Sequence, residues 1–113
     1  MSGITTHVLD TSRGQPASGV PVLLEIRDGK NWRGIGRSLT DEDGRVRQLL
    51  AAGSALTPGI YRLTFGIETY FRKLEIEGFY PEAAIVFHVR DANQHHHVPL
   101  LLSPYGYSTY RGS

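Results

Sequence analysis

A chain of 113 residues with a formal net charge of +1 and both signs dispersed is of one-domain size and lacks the basic patch that a nucleic-acid partner requires. It has no cysteine, which excludes disulfides, a thiolate metal site and a cysteine nucleophile, and fits a reducing compartment. No apolar run spans a membrane, the N-terminus lacks signal-peptide character, and the last three residues are not a peroxisomal address, so a cytoplasmic protein without membrane or nucleic-acid partners is expected.

In chain order, Thr5 to Asp10 is a short run with β-branched residues, closed by the turn-prone Thr11-Ser12-Arg13-Gly14-Gln15-Pro16. Val20 to Ile26 reads as a strand whose Pro21 points to an early or edge position. Asp28-Gly29 marks a tight turn, and Trp32 to Leu39 returns as the next strand of a hairpin. Asp41-Glu42-Asp43-Gly44 is a second turn. Gly59 to Phe65 alternates apolar and polar side chains, the pattern of a half-buried strand. Glu68 to Glu77 is the one stretch with helical spacing, and Tyr70, Phe71, Leu74 and Ile76 form its apolar stripe, although Leu74 to Glu77 also reads as a strand end. Ala84 to Val89 and Val98 to Leu102 complete the strands. Seven or eight short strands, one short helix and no internal repeat predict an all-β sandwich in a single domain, residues 1–113.

Chemistry concentrates near the end of the chain. Three consecutive histidines, His95-His96-His97, precede an apolar run and then Tyr107 to Ser113. As a strand, this segment places His95, His97, Pro99 and Leu101 on one face and His96, Val98, Leu100 and Leu102 on the other. Both faces carry apolar side chains, whereas an antiparallel sandwich strand ordinarily has one wet face. Either the strand is covered on both sides by its own chain, or another subunit covers the second face; the small domain favours the subunit. His97 lies on that second face, where a histidine is costly to bury unless hydrogen-bonded or used. His96 is expected to be solvated. His7, which shares a face with Thr5 and Leu9, and Arg45, just after the Asp43-Gly44 turn, are further candidates. Each has a plainer alternative, a structural strand histidine and a solvated arginine. His95, His97 and His7 would also make a three-imidazole zinc set, but no fourth ligand or supporting partner accompanies it. No segment matches a phosphate-binding loop or a Gly-x-Ser-x-Gly nucleophile elbow.

The segments Thr5-Thr6-His7-Val8-Leu9-Asp10, Asp43-Gly44-Arg45, His97-Val98-Pro99-Leu100-Leu101-Leu102-Ser103-Pro104 and Tyr107-Ser108-Thr109-Tyr110-Arg111-Gly112-Ser113 resemble the 5-hydroxyisourate hydrolase family of transthyretin-like proteins. The resemblance runs from about residue 4 to the last residue. The closing Tyr-Arg-Gly-Ser is its most specific part and separates the hydrolases from the transthyretin hormone carriers. Two departures are visible: Asp41 stands where the family commonly has asparagine, and His96 where it commonly has tyrosine.

The resemblance implies a transthyretin-like (prealbumin-like) sandwich of two four-stranded sheets with one short helix. It implies a homotetramer, a dimer of dimers, with sites in a channel where the dimers meet. It implies hydrolysis of 5-hydroxyisourate to 5-hydroxy-2-oxo-4-ureido-2,5-dihydro-1H-imidazole-5-carboxylate in urate breakdown, with no cofactor and no metal. Carried onto this chain, the catalytic residues are His7, Arg45, His97 and Ser113, and the substrate-binding residues are His7, Arg45, Tyr110, Arg111 and Gly112. Histidine suits a water-activating or proton-transfer role because it titrates near neutrality, and arginine suits binding and charge stabilisation because it stays protonated. Two other readings compete: a transthyretin-like carrier with an aromatic ligand in the tetramer channel, and a zinc-dependent amidohydrolase. Two imidazoles and an arginine are more than a carrier channel needs.

Overall fold

Period-two burial organises the strands of the computed structural model, which describes residues 3–51 and 53–113. Its strands are β1 (Gly3–Asp10), β2 (Gln15–Pro16), β3 (Pro21–Asp28), β4 (Asn31–Leu39), β5 (Arg45–Val46), β6 (Gly59–Phe65), β7 (Ala83–Val89), β8 (His95–Ser103) and β9 (Gly106–Thr109). One helix, α1 (Ile67–Lys73), lies between β6 and β7. Among the described residues, no helix is long and apolar enough to cross a membrane.

Two sheets face each other, as expected. One runs β4-β3-β6-β7, and the other runs β2-β1-β8-β9 with β5 also on β1. The second sheet therefore has five strands rather than four. The extra strand is one of connection, because β2 pairs with Leu9 and Asp10 while β5 pairs with Thr6 and His7. The two short strands share out one edge of β1, and each sheet is four positions wide.

Inward residues of β1 and β8 (Ile4, Val8, Leu100, Leu102) meet those of β3 and β6 (Val22, Leu24, Leu63, Phe65) in a fully buried core. Each such side chain contributes about 2 kcal/mol of hydrophobic stabilisation. Pro21 is the first residue of β3, where its missing N–H costs nothing, but β3 is an inner strand and not an edge. Asp28 pairs with Asn31 across the Gly29 turn, so the predicted hairpin is present.

The helix is shorter than the spacing predicts. It starts at Ile67, which is buried with Tyr70 and Phe71, and stops at Lys73 rather than Glu77. Glu75 takes a left-handed backbone, φ 58°. Its N–H donates to Arg72 O, and the Ile76 N–H donates to Phe71 O, both at 3.0 Å. This is a Schellman ending built without glycine, and it lets Leu74 and Ile76 pack on the core from outside the helix.

The end of β1 is tied to α1 by a buried polar cluster. The Asp10 side chain is fully buried, and its Oδ2 accepts the Tyr70 hydroxyl at 2.7 Å. Its Oδ1 accepts the Ser12 hydroxyl at 2.6 Å and the Ser12 N–H at 3.1 Å. A buried acceptor that loses its donor retains the full cost of leaving water. Tyr70→Phe is expected to lower the unfolding free energy by about 2 kcal/mol, read as an earlier urea midpoint with an unchanged m-value.

Candidate active site

Strands β1 and β8 run parallel over their whole length, pairing Thr5 with His97 and His7 with Pro99. Antiparallel β5 sets Arg45 opposite His7 on the other edge of β1. Paired residues share a face, so Thr5, His7, Arg45, His95 and His97 all lie on the side of the sheet away from the core.

Arg45 is held there by its turn. Asp41 Oδ1 accepts the N–H groups of Asp43 and Arg45, both at 2.9 Å, and the Asp41 N–H donates to Arg45 O at 2.9 Å. The hydrogen bond from the Arg45 N–H leads in holding the Asp41 carboxyl below its ordinary range, with Asp43 N–H and the charges of Arg47 and Arg45 adding to it against the opposing effect of burial. An asparagine side-chain oxygen at this position would accept the same two bonds. Gly44 has φ 76°, and a Cβ there would collide with the Val8 carbonyl. Glycine is thus required on both conformational and steric grounds for the turn to come close enough for β5 to pair.

The last residues continue the β9 register along the edge of β8 away from β1. The Gly112 N–H donates to His97 O at 2.8 Å, closing an antiparallel bridge. A Cβ on Gly112 would lie 2.5 Å from His97 Cδ2 and 3.2 Å from Pro99 Cγ, so only glycine fits without moving the imidazole. Pro99 is buried with the chain's own end against it, and Thr109 Oγ1 donates to its carbonyl at 2.7 Å. Its own chain therefore covers this proline, while His97 and Leu101 on the same face are only half-buried.

A cavity of about 340 Å³ opens on this face, lined by Thr5, Arg45, Arg47, His95, His97 and Ser113 among others. His7 stands beside it without lining it. Burial is the main cause that pushes His97 below its ordinary value of 6.5, and the charges of Arg45, His7 and His95 push in the same direction. At neutral pH His97 is therefore an unprotonated imidazole beside a fixed positive charge. Thr5 Oγ1 lies 2.8 Å from His97 Nδ1.

Tyr110 and Arg111 do not line this cavity but an adjoining cleft of about 240 Å³, shared with Ile85, Phe87, His96, His97 and Val98. Arg111 Nη2 donates to Gln94 Oε1 at 3.1 Å and to His95 O at 3.3 Å, anchoring the terminal segment. His96 is not solvated as expected. It is 5% exposed, on the core face that strand alternation assigns it, and its Nδ1 has no partner. Burial chiefly lowers its pKa below 6.5, with Arg111 adding to the effect. Among the described residues, no three His, Cys, Asp or Glu side chains are grouped so as to hold a metal ion, and the three-imidazole zinc set is not assembled.

Local sequence marks Thr5 and His95 only as face-mates of His7 and His97, and does not mark Arg47 at all, as members of a site with Arg45. The available signal was period-two alternation, since Arg47 follows Arg45 at i+2 and Thr5 precedes His7 at i−2.

Fold and site together define a transthyretin-like sandwich with a polar, histidine- and arginine-lined cavity on one sheet. The HIUase/Transthyretin family model matches residues 4–112. The chain belongs to that family, on its hydrolase branch. It is 48% identical over 117 residues to a Caulobacter vibrioides protein named 5-hydroxyisourate hydrolase, covering 100% of both chains. The solved structure of Klebsiella pneumoniae 5-hydroxyisourate hydrolase superposes with a TM-score of 0.86 at 35% identity, covering 99% of this chain and 100% of that one. Sea bream transthyretin in complex with thyroxine superposes with a TM-score of 0.89 at 26% identity, covering 96% of this chain and 93% of that one. The backbone superposes comparably on both.

Because His96 and His97 both have lowered pKa values, each favours the folded state above about pH 6.5 and loses that contribution as pH falls through its folded value. Stability should therefore decline below pH 6.5. In an NMR titration of the imidazole resonances, His97 should titrate below 6.5, and Arg45→Ala should raise its midpoint.

Proposed function

We propose that the protein hydrolyses 5-hydroxyisourate in urate degradation, opening the six-membered ring of this planar, oxidised purine to give 5-hydroxy-2-oxo-4-ureido-2,5-dihydro-1H-imidazole-5-carboxylate. The observation that carries the proposal is the convergence of Arg45, His97 and Ser113 on one cavity, with His7 alongside. The names of the full-length relatives support the substrate.

Water oxygen adds to the ring carbonyl carbon, a ring carbon–nitrogen bond breaks, and a proton passes to the departing nitrogen. His97, unprotonated at neutral pH, accepts the water proton as general base, and His7 orients that water or returns the proton. The Arg45 guanidinium binds the substrate and offsets the negative charge that develops on the carbonyl oxygen. Ser113 offers hydrogen bonds at the cavity. Gly112 lets the terminal segment close on His97, and Arg111 and Tyr110 hold that segment in position. No metal or cofactor is required by this scheme. The assembly is a homotetramer in which paired dimers bring their cavity faces together and exclude bulk water.

The carrier reading has one observation in its favour, the closeness of the backbone to sea bream transthyretin. It leaves unexplained why imidazoles and guanidinium groups crowd one cavity. Turnover separates the two. With 5-hydroxyisourate generated in place from urate and its decay followed spectrophotometrically against the uncatalysed rate, His97→Ala and Arg45→Ala should each reduce turnover at least roughly a hundredfold. Wild-type protein that leaves the spontaneous rate unchanged would overturn the assignment, as would near-normal rates in both variants. Activity that disappears in a chelator and returns with zinc would instead favour the metal-dependent reading. Removing Arg111 to Ser113 should abolish turnover while leaving the sandwich folded.

A further inference from the structure

One hydroxyl in the cavity touches two imidazoles. Thr5 Oγ1 lies 2.8 Å from His97 Nδ1 and 2.8 Å from His95 Nε2. The three side chains share a face by register, since Thr5 pairs with His97 and Gly3 with His95. A threonine hydroxyl carries a single proton. It can donate to one of these nitrogens and must accept an N–H from the other. The two histidines are therefore linked: the tautomer of one dictates that of its neighbour.

Two arrangements satisfy this rule. In the first, Thr5 donates to His97 Nδ1, so His97 holds its proton on Nε2. In the second, His97 holds its proton on Nδ1 and donates it to Thr5, which donates in turn to a bare His95 Nε2. Only the second leaves His97 Nε2 unprotonated and able to take a proton from water. It also survives that transfer unchanged, because a doubly protonated His97 still donates from Nδ1. The first would require the Thr5 hydroxyl to turn around whenever His97 became charged.

We propose that Thr5 is a positioning residue for the hydrolysis, fixing His97 as its Nδ1–H tautomer, with His95 as the terminal acceptor of a His97–Thr5–His95 hydrogen-bond relay. The hydroxyl acts through His97 and does not itself meet the substrate. The other charged or titratable side chains around the relay are Arg45 from β5, Arg47 just after that strand, and His7 from β1. None of them hydrogen-bonds the Thr5 hydroxyl, so the tautomer choice falls to the relay. The proposal rests on the reading of His97 as the water-activating base.

Tautomers are read directly, without turnover, from long-range nitrogen–proton correlations of the imidazole rings. In the wild-type protein at pH 7.5, His97 should show a protonated Nδ1 and a bare Nε2, and His95 a bare Nε2. Thr5→Val keeps the β-branched shape and removes the hydroxyl. It should convert His97 largely to the Nε2–H form and lower kcat about tenfold with KM little changed. Thr5→Ser should restore both the tautomer and kcat. A wild-type His97 protonated on Nε2 overturns the relay, as does a Thr5→Val protein with unaltered tautomer and kcat. Should Thr5→Val fail to fold, the wild-type spectrum and the Thr5→Ser variant decide alone. Full activity in His97→Ala would bring down the reading of His97 as base. Loss of activity in that variant together with the wrong wild-type tautomer would bring down only the relay.

Discussion

Parallel pairing of β1 with β8 is the constraint on which the rest of the site depends. A strand has period two, so sliding β8 by one residue would exchange its faces, turning His97 inward and His96 and Val98 toward the cavity. Two kinds of contact hold the register. Inward, Ile4 and Val8 lie against the same core as Leu100 and Leu102. Along the seam, the buried Thr6 hydroxyl donates to Val98 O at 2.6 Å, and at the far end the Thr11 N–H and hydroxyl donate to Leu102 O at 2.8 and 3.1 Å. A one-residue slip would break these bonds inside the protein, where water cannot replace them. The other edge of β1 then receives Arg45 through the Gly44 turn. Cation and imidazoles thus meet on one strand's outer face without contact between their own segments in sequence.

Much of this was legible in the residues. Alternation alone assigned His7 to the face of Thr5 and His97 to the face of His95 and Pro99, and the burial patterns of β1 and β8 agree. What escaped was whatever depends on a partner far away. The two-residue strands β2 and β5 have no internal pattern and exist because β1 offers them an edge. The helix ends early because Glu75 adopts a backbone conformation usually given to glycine or asparagine, so no residue type marked the stop. His96 was placed on the correct face but read as solvated, because a histidine ordinarily has a hydrogen-bond partner when buried and its Nδ1 has none. That the chain's own end covers Pro99 was not legible, because Gly112, thirteen positions onward, cannot be placed beside His97 from local sequence.

Enzyme and carrier relatives share one frame here, and the frame does not choose between them. A sandwich whose outer sheet face is open can present either apolar side chains to a flat ligand or polar ones to a reacting bond. In this chain the outward positions of β1, β5 and β8 carry polar and charged groups while the inward set forms the core. Division of labour between the two faces of a strand lets one architecture hold unrelated chemistries. The exceptions are Gly44 and Gly112, where the backbone itself comes so close that the site and the fold cannot be altered separately.

The distance along the chain between the two halves of the seam also governs when the molecule becomes whole. Thr5 and His97 are 92 residues apart. During synthesis β1 emerges before β8 and has no lateral partner on its β8 edge until the intervening strands have been made. Because β2 and β5 pair with the opposite edge, the β8 edge stays unpaired until β8 arrives, the circumstance in which strands associate with the wrong chain. Loop closure over such a span is slow, so the hairpin of β3 and β4, with its local turn, should form well before the cavity does. A nascent chain halted before β8 would carry every residue of β1 and β5 but neither His95, His97 nor Ser113 of the cavity wall.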